Sequence, residues 1–395
     1  MKKRTLILLF AIISIFIVGV DSVLKDSTFN CFAEEIPDVV SDELDKQLDN
    51  LDLSGIDNLI TEFESLTKGS SFKDIVKSLI NGTYKINYGN TFEFIIKSIA
   101  NQFTSILPIV VVILILAILA GFMKSFRPTL NGKSISDLIT LICYSLVVVI
   151  VVVLMKNLFG ITGDTLTSMT SQMEIMFPIL LTLLTATGGL VSVSIYSPLV
   201  STLTTGVSMV FSKFLYPLFM VAFIFVVVGN LTDTIKLDKM SKFLSSLFKW
   251  CVGFVFTLFA AFLTIQGISA GKYDSVSLKA TRFAMKNSIP IVGGYLSDGL
   301  DYVLLSSLFI KNAVGVGGLL ILLALILKPI VKILIIKLAL QLTAGILEPI
   351  SSGKISNFCE GCSKVLVYPL IIILSVSFMY VMTIGLIMCT MAGVA

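Results

Sequence analysis

The chain has 395 residues, 56% of them hydrophobic and 14% charged, and its mean hydropathy is +0.98. A soluble domain carries about 25% charged residues, so this composition belongs to a chain solvated by lipid. Histidine is absent, which excludes Ser-His-Asp and Cys-His triads, histidine metal sites and histidine proton relays.

The net charge of +4 hides a split. Residues 34–94 hold 13 Asp/Glu against 5 Lys, whereas residues 95–395 hold 20 Lys/Arg against 10 Asp/Glu. An acidic polar head precedes a basic apolar body. The basic residues sit in short loops between apolar runs and form no continuous stripe, so the sequence offers no nucleic-acid surface.

Residues 1–33 read as a signal sequence. Lys2, Lys3 and Arg4 precede an apolar run from Leu6 to Val20, and Cys31 and Ala33 put small residues before Glu34. The run is short for a span of about 20 residues. Cleavage after Ala33 and retention as an anchor both stand, and either puts residues 34–94 outside the cytoplasm as a small helical head. There Ile56, Leu59, Ile60, Phe63 and Leu66 keep helical spacing. So do Phe72, Ile75, Val76, Leu79 and Ile80, opened by the capping-box pair Ser71 and Asp74. Each stripe needs a cover, either the membrane body or an extracytoplasmic partner.

Residues 95–395 form the multipass part. Clear apolar runs lie at 106–122, 138–155, 214–229, 250–268, 313–327 and 365–391, with weaker ones at 174–194, 197–212, 287–310 and 330–347. The expected fold is an all-α polytopic membrane protein with about 6–10 membrane-embedded helices, some broken or re-entrant. Lysines in loops 123–137 and 230–249 place those loops in the cytoplasm. The pair 174–194 and 197–212 reads as two crossings or as one re-entrant hairpin. A 112-residue offset relates Pro178 to Pro290 and Pro217 to Pro329, as a tandem repeat would.

Polar residues within apolar runs are costly in hydrocarbon and mark sites. The richest stretch carries Arg282, Lys286, Pro290, Gly293, Gly294, Asp298 and Asp301, followed by Lys311. Pro290 and the glycines are expected to interrupt a helix. Asp298 and Asp301 share a helical face, and Lys286 and Lys311 are candidate counter-charges. This stretch reads as a gate, a solute path or a coupling surface, or else as an interfacial hairpin with solvated charges. Lys328, Lys332 and Lys337 read as an amphipathic surface helix or, alternatively, a buried cationic path. Glu348-Pro349 marks a helix end.

Other motifs fall short of chemistry. Gly132-Lys133-Ser134 lacks the upstream glycine of a phosphate loop, and Cys359-x-x-Cys362 has no second pair to complete a zinc site. The remaining cysteines, at 31, 143, 251 and 389, form no disulfide framework. Gly267-x-x-x-Gly271 suits close helix packing. No catalytic set, cofactor site or metal site is expected.

The run from Arg282 to Asp301, the string Lys311-Asn312-Ala313-Val314-Gly315 and Leu347-Glu348-Pro349-Ile350 resemble the stage III sporulation protein AE family of endospore-forming Firmicutes. The Phe-, Ile- and Lys-rich composition looks clostridial. That resemblance implies a non-enzymatic component of the channel between mother cell and engulfed forespore, in the mother-cell membrane surrounding the forespore. It implies as partners the other stage III A-operon proteins, among them a secretion-type ATPase and ring-forming proteins, and a forespore-side protein Q. The broken runs and the offset support a different class, a stand-alone secondary transporter for a small solute.

Overall fold

A computed structural model describes residues 44, 46–48, 56, 71–81, 88–125, 133–207, 209–231, 238–267, 270–288, 293–349 and 353–391. The signal segment 1–33, most of the stripe 56–66 and Pro290 lie outside the described residues. Among the described residues there is no strand. The helices are α1 (Phe72–Ile80), α2 (Tyr88–Ser125), α3 (Lys133–Ala186), α4 (Leu190–Thr202), α5 (Tyr216–Leu231), α6 (Asp238–Gly267), α7 (Ala270–Ser288), α8 (Gly293–Leu347), α9 (Lys354–Val365) and α10 (Val367–Cys389). Two π-helical segments, Leu203–Val207 and Met209–Leu215, connect α4 to α5. Among the described residues, six stretches are long and apolar enough to cross a membrane: Ile99–Met123, Leu138–Ala186, Leu190–Asn230, Lys239–Thr264, Gly299–Leu347 and Lys354–Cys389. The all-α polytopic expectation holds.

Where breaks were expected, two helices are continuous. α3 joins the runs 138–155 and 174–186 in 54 residues with Pro178 inside, and α8 joins 293–310, 313–327 and 330–347 in 55 residues with Pro329 inside. Proline interrupts one backbone hydrogen bond, which packing against neighbouring helices can offset. Here α3 and α8 pack along each other, so each holds the other straight. Gln172 on α3 meets Gly318 on α8, while Thr187, just past α3, shares a cavity with Leu304 and Leu308. At the other end Tyr144 packs edge-on against Phe358, beyond the C-terminus of α8. The two helices are therefore antiparallel.

At 1.5 Å per residue each runs about 80 Å, against a hydrocarbon core of about 30 Å. Exposure shows which part faces lipid. Exposed large apolar side chains on α2 run from Ile99 to Phe122, and on α3 from Leu138 to Val153. On α8 they are Leu338, Leu342 and Ile346, with Tyr302 and Val303 apart from that group. From Lys156 to Ala186, α3 exposes no large apolar side chain; its exposed residues include Asp164, Thr167, Glu174 and Thr182. At the end of the pair that carries Thr187 and Asp301, the exposed large apolar side chains are Leu190 and Val191 of α4, Val276 and Phe283 of α7, and Tyr302 and Val303 of α8.

The head clamps onto α8 around Ser306 and Gly317. Ser71 and Asp74 form the expected capping box of α1, with Asp74 N–H donating to Ser71 Oγ at 3.2 Å and Ser71 N–H to Asp74 Oδ2 at 3.1 Å. Phe72, Ile75, Val76, Leu79 and Ile80 are all buried, and Phe72 lies against Gly317 of α8. The membrane body itself covers this stripe. Gln47 adds a polar tie: its Nε2 donates to Ser306 Oγ at 3.1 Å, and Ser307 Oγ donates to its Oε1 at 2.9 Å.

Glycines set the spacing on α8. A Cβ on Gly315 would fall 2.5 Å from Met388 Sδ, on Gly317 2.7 Å from Phe72 Cε2, and on Gly318 2.3 Å from Met176 Cε. One turn of α8 thus seats α10, the head and α3 on three sides, as close helix packing requires.

Three further expectations change. The 112-residue offset maps α3 onto α6, α7 and the start of α8, so helix boundaries do not follow it. Lys328, Lys332 and Lys337 form no separate surface helix; they lie inside α8, Lys328 exposed and the other two half-buried. Gly267 ends α6 while Gly271 opens α7, so the small-residue spacing does not fall on one helix.

A polar cavity between α7 and α8

The stretch singled out in the sequence straddles the junction of α7 and α8. Helix α7 ends at Ser288 and α8 starts at Gly293, with Gly294 in its first turn, and Asp298 lies one turn before Asp301 on that helix. Lys286, near the end of α7, is exposed, as is Glu348 directly after α8. Pairing occurs instead between Arg282 and Asp301, whose Nε and Oδ1 lie 2.8 Å apart. Their approach is a close ion pair, not an aligned hydrogen bond. It closes one side of a cavity of about 220 Å³ lined by Thr187, Leu278, Leu304, Leu305, Leu308 and Met391 besides the pair itself.

Lys311, one turn beyond Leu308, is 0% exposed. Its Nζ donates to the Thr390 carbonyl just past the end of α10. No carboxylate faces it among the described residues. The negative end of the α10 dipole is the counter-charge instead, one of the few ways a buried cation is accommodated without an acid. Tyr196 Oη and Thr390 Oγ1, 2.9 Å apart, join α4 to the same corner.

The sequence reading missed Asp274. It is 1% exposed and sits one turn before Leu278 on the inner face of α7. Its Oδ1 accepts from Val191 N–H at 2.9 Å, and its Oδ2 accepts from Ser192 N–H at 3.0 Å and from Ser192 Oγ. The residue before α4 is Gly189, which accepts the first helical bond from Val193 N–H but has no side chain to cap with. Asp274, more than eighty positions later, supplies the missing acceptor. A carboxylate at a helix N-terminus also gains from the dipole. Gly188 makes the turn with φ +84°, and Leu278 packs directly on it. The signals present in the sequence were an uncapped Gly-Gly before an apolar run and a lone acid within a basic helix.

Gln172 was a second omission, although a buried polar residue between apolar runs is a site signal. It is 0% exposed, and its Nε2 donates to the Gly318 carbonyl at 2.8 Å. Cys359 and Cys362 are buried free thiols within α9.

Lys311 yields a direct test. Lys311→Met keeps most of the side-chain volume but leaves the Thr390 carbonyl without its donor, for a loss of about 1–2 kcal/mol. Lys311→Ala adds a cavity, for a total of about 3 kcal/mol. Unfolding midpoints in detergent, measured side by side, are expected in the order wild type, Met, Ala.

Comparison with known proteins agrees with the sequence strings. The family model for stage III sporulation protein AE matches residues 70–392. Stage III sporulation protein AE of Bacillus subtilis (strain 168) is 27% identical over 250 residues. That match covers 62% of this chain and 63% of the relative. No solved structure matches. A multipass helical body whose family-matched segment contains α3, α8 and the cavity between α7 and α8 completes the assignment: this chain belongs to the stage III sporulation protein AE family.

Proposed function

We propose that the chain is a non-enzymatic membrane component of the passage between mother cell and forespore, sited in the mother-cell membrane surrounding the forespore. The observation that carries this reading is the family-model match over residues 70–392, on a multipass helical body. Two paired helices of about 80 Å, held together by a three-sided glycine seat and clamped by the head, give that body a rigid frame on which partners can assemble. The head lies on the side that the signal sequence sends out of the cytoplasm, where a forespore-side partner would meet it. The absence of histidine and of a phosphate loop assigns the energy source to a partner, the secretion-type ATPase encoded with it. The other stage III A-operon proteins, including the ring-forming ones, and forespore protein Q are the proposed neighbours.

Two measurements on the full chain decide the matter. Detergent extracts of sporulating cells should yield the chain together with the ring-forming proteins, and liposomes containing it alone should take up no solute under an ion gradient. Gradient-driven uptake by the chain alone would overturn the proposal in favour of a secondary transporter.

A further inference from the structure

The cavity between α7 and α8 has the makings of a ligand site. Five of its lining residues are aliphatic or thioether side chains: Leu278, Leu304, Leu305, Leu308 and Met391. Its volume of about 220 Å³ exceeds the roughly 150 Å³ known to admit a benzene ring. Against these walls stands one guanidinium. Arg282 Nε lies 2.8 Å from Asp301 Oδ1, yet neither atom makes an aligned hydrogen bond. A guanidinium presents five N–H donors in a fork that suits a carboxylate two-point. Asp301, whose side chain is 41% exposed, is thus a poorly aligned partner for that fork. The two buried charges nearby are already committed, Asp274 to the α4 N-terminus and Lys311 to the α10 C-terminus. Arg282 is the one whose partner is poorly aligned and half-exposed, and so the one a better carboxylate can take over.

We propose that this cavity binds a small monocarboxylate with one aromatic or branched apolar group, the apolar group lying among the leucines and the carboxylate displacing Asp301 from Arg282. Asp301 is then an internal competitor that holds the empty site closed. Release of the pair frees α7 from α8 at that end, while the Asp274 bonds still tie α7 to α4. Ligand occupancy therefore changes how α7 sits over α8.

The test uses the full chain in lipid nanodiscs, which avoids detergent entering the cavity. 3-Phenylpropionate is the ligand, with 3-phenylpropanol as its uncharged control, and binding is read by calorimetry. Asp301→Asn removes the competitor and should tighten 3-phenylpropionate binding about tenfold, while Arg282→Gln should abolish it. The alcohol should bind weakly and equally to all three proteins. Leu305→Phe, which fills the cavity without touching either charge, should block binding when combined with Asp301→Asn. Failure of Asp301→Asn to bind more tightly than wild type would overturn the proposal. So would equal binding of acid and alcohol, or binding that survives Leu305→Phe.

Discussion

Gly318→Leu is expected to lower the stability of the membrane body by about 3 kcal/mol. A Cβ at that position already lies 2.3 Å from Met176 Cε, and the rest of a leucine has nowhere to go. Overpacking a close interface typically costs 1–3 kcal/mol, and prising α3 away also breaks the bond from Gln172 Nε2 to the Gly318 carbonyl. Gly318→Ala should cost less, because the atom it meets is the tip of a flexible methionine. Combining Gly318→Leu with Met176→Ala should recover part of the loss, since the two positions face each other. Gly345 is the control: a Cβ there meets nothing within 4 Å, so Gly345→Ala should be neutral or slightly stabilising. Denaturation in detergent micelles measures all four, and equal midpoints for Gly318→Leu and Gly345→Ala would refute the glycine seat.

Asp274→Ala carries the second large effect. It strips the acceptors from Val191 N–H, Ser192 N–H and Ser192 Oγ at a helix start that has no local substitute. Losing an N-cap costs about 0.5–2 kcal/mol, and bonds to a charged acceptor are stronger than neutral ones, so about 3 kcal/mol is expected. The readout that separates this from general destabilisation is local. Amide hydrogen exchange should accelerate at Val191 and Ser192 and along α7 well before it does along α10. Asp274→Asn, which keeps one carbonyl acceptor, should fall between alanine and wild type. Unchanged exchange at Val191 and Ser192 in the alanine variant would show that the carboxylate is not the cap.

The candidate site was partly legible in the sequence. Arg282, Asp301 and Lys311 stood out because charges between apolar runs are costly, and that rule holds wherever the chain folds. Their partners did not stand out. Asp298 and Asp301 were grouped by helical spacing, yet Asp301 faces Arg282 on another helix. Lys311 looked like a counter-charge for an acid, but its acceptor is a backbone carbonyl, and no sequence pattern flags a carbonyl. Pro178 and Pro329 break an isolated helix, but in a pair that packs side by side the lost bond is one among many contacts.

Composition alone determined that this protein lives in lipid and that its chemistry excludes histidine, and the apolar runs that it is helical, because transfer free energies and the absence of a side chain need no neighbours to act. The capping box at Ser71 and the helix end before Glu348-Pro349 were equally local. Only the tertiary structure decided that α3 and α8 run unbroken, that the head rests on Gly317, and that Asp274 caps a helix more than eighty residues away. Those outcomes depend on which surfaces meet, and a contact between distant residues is a property of the packed chain as a whole.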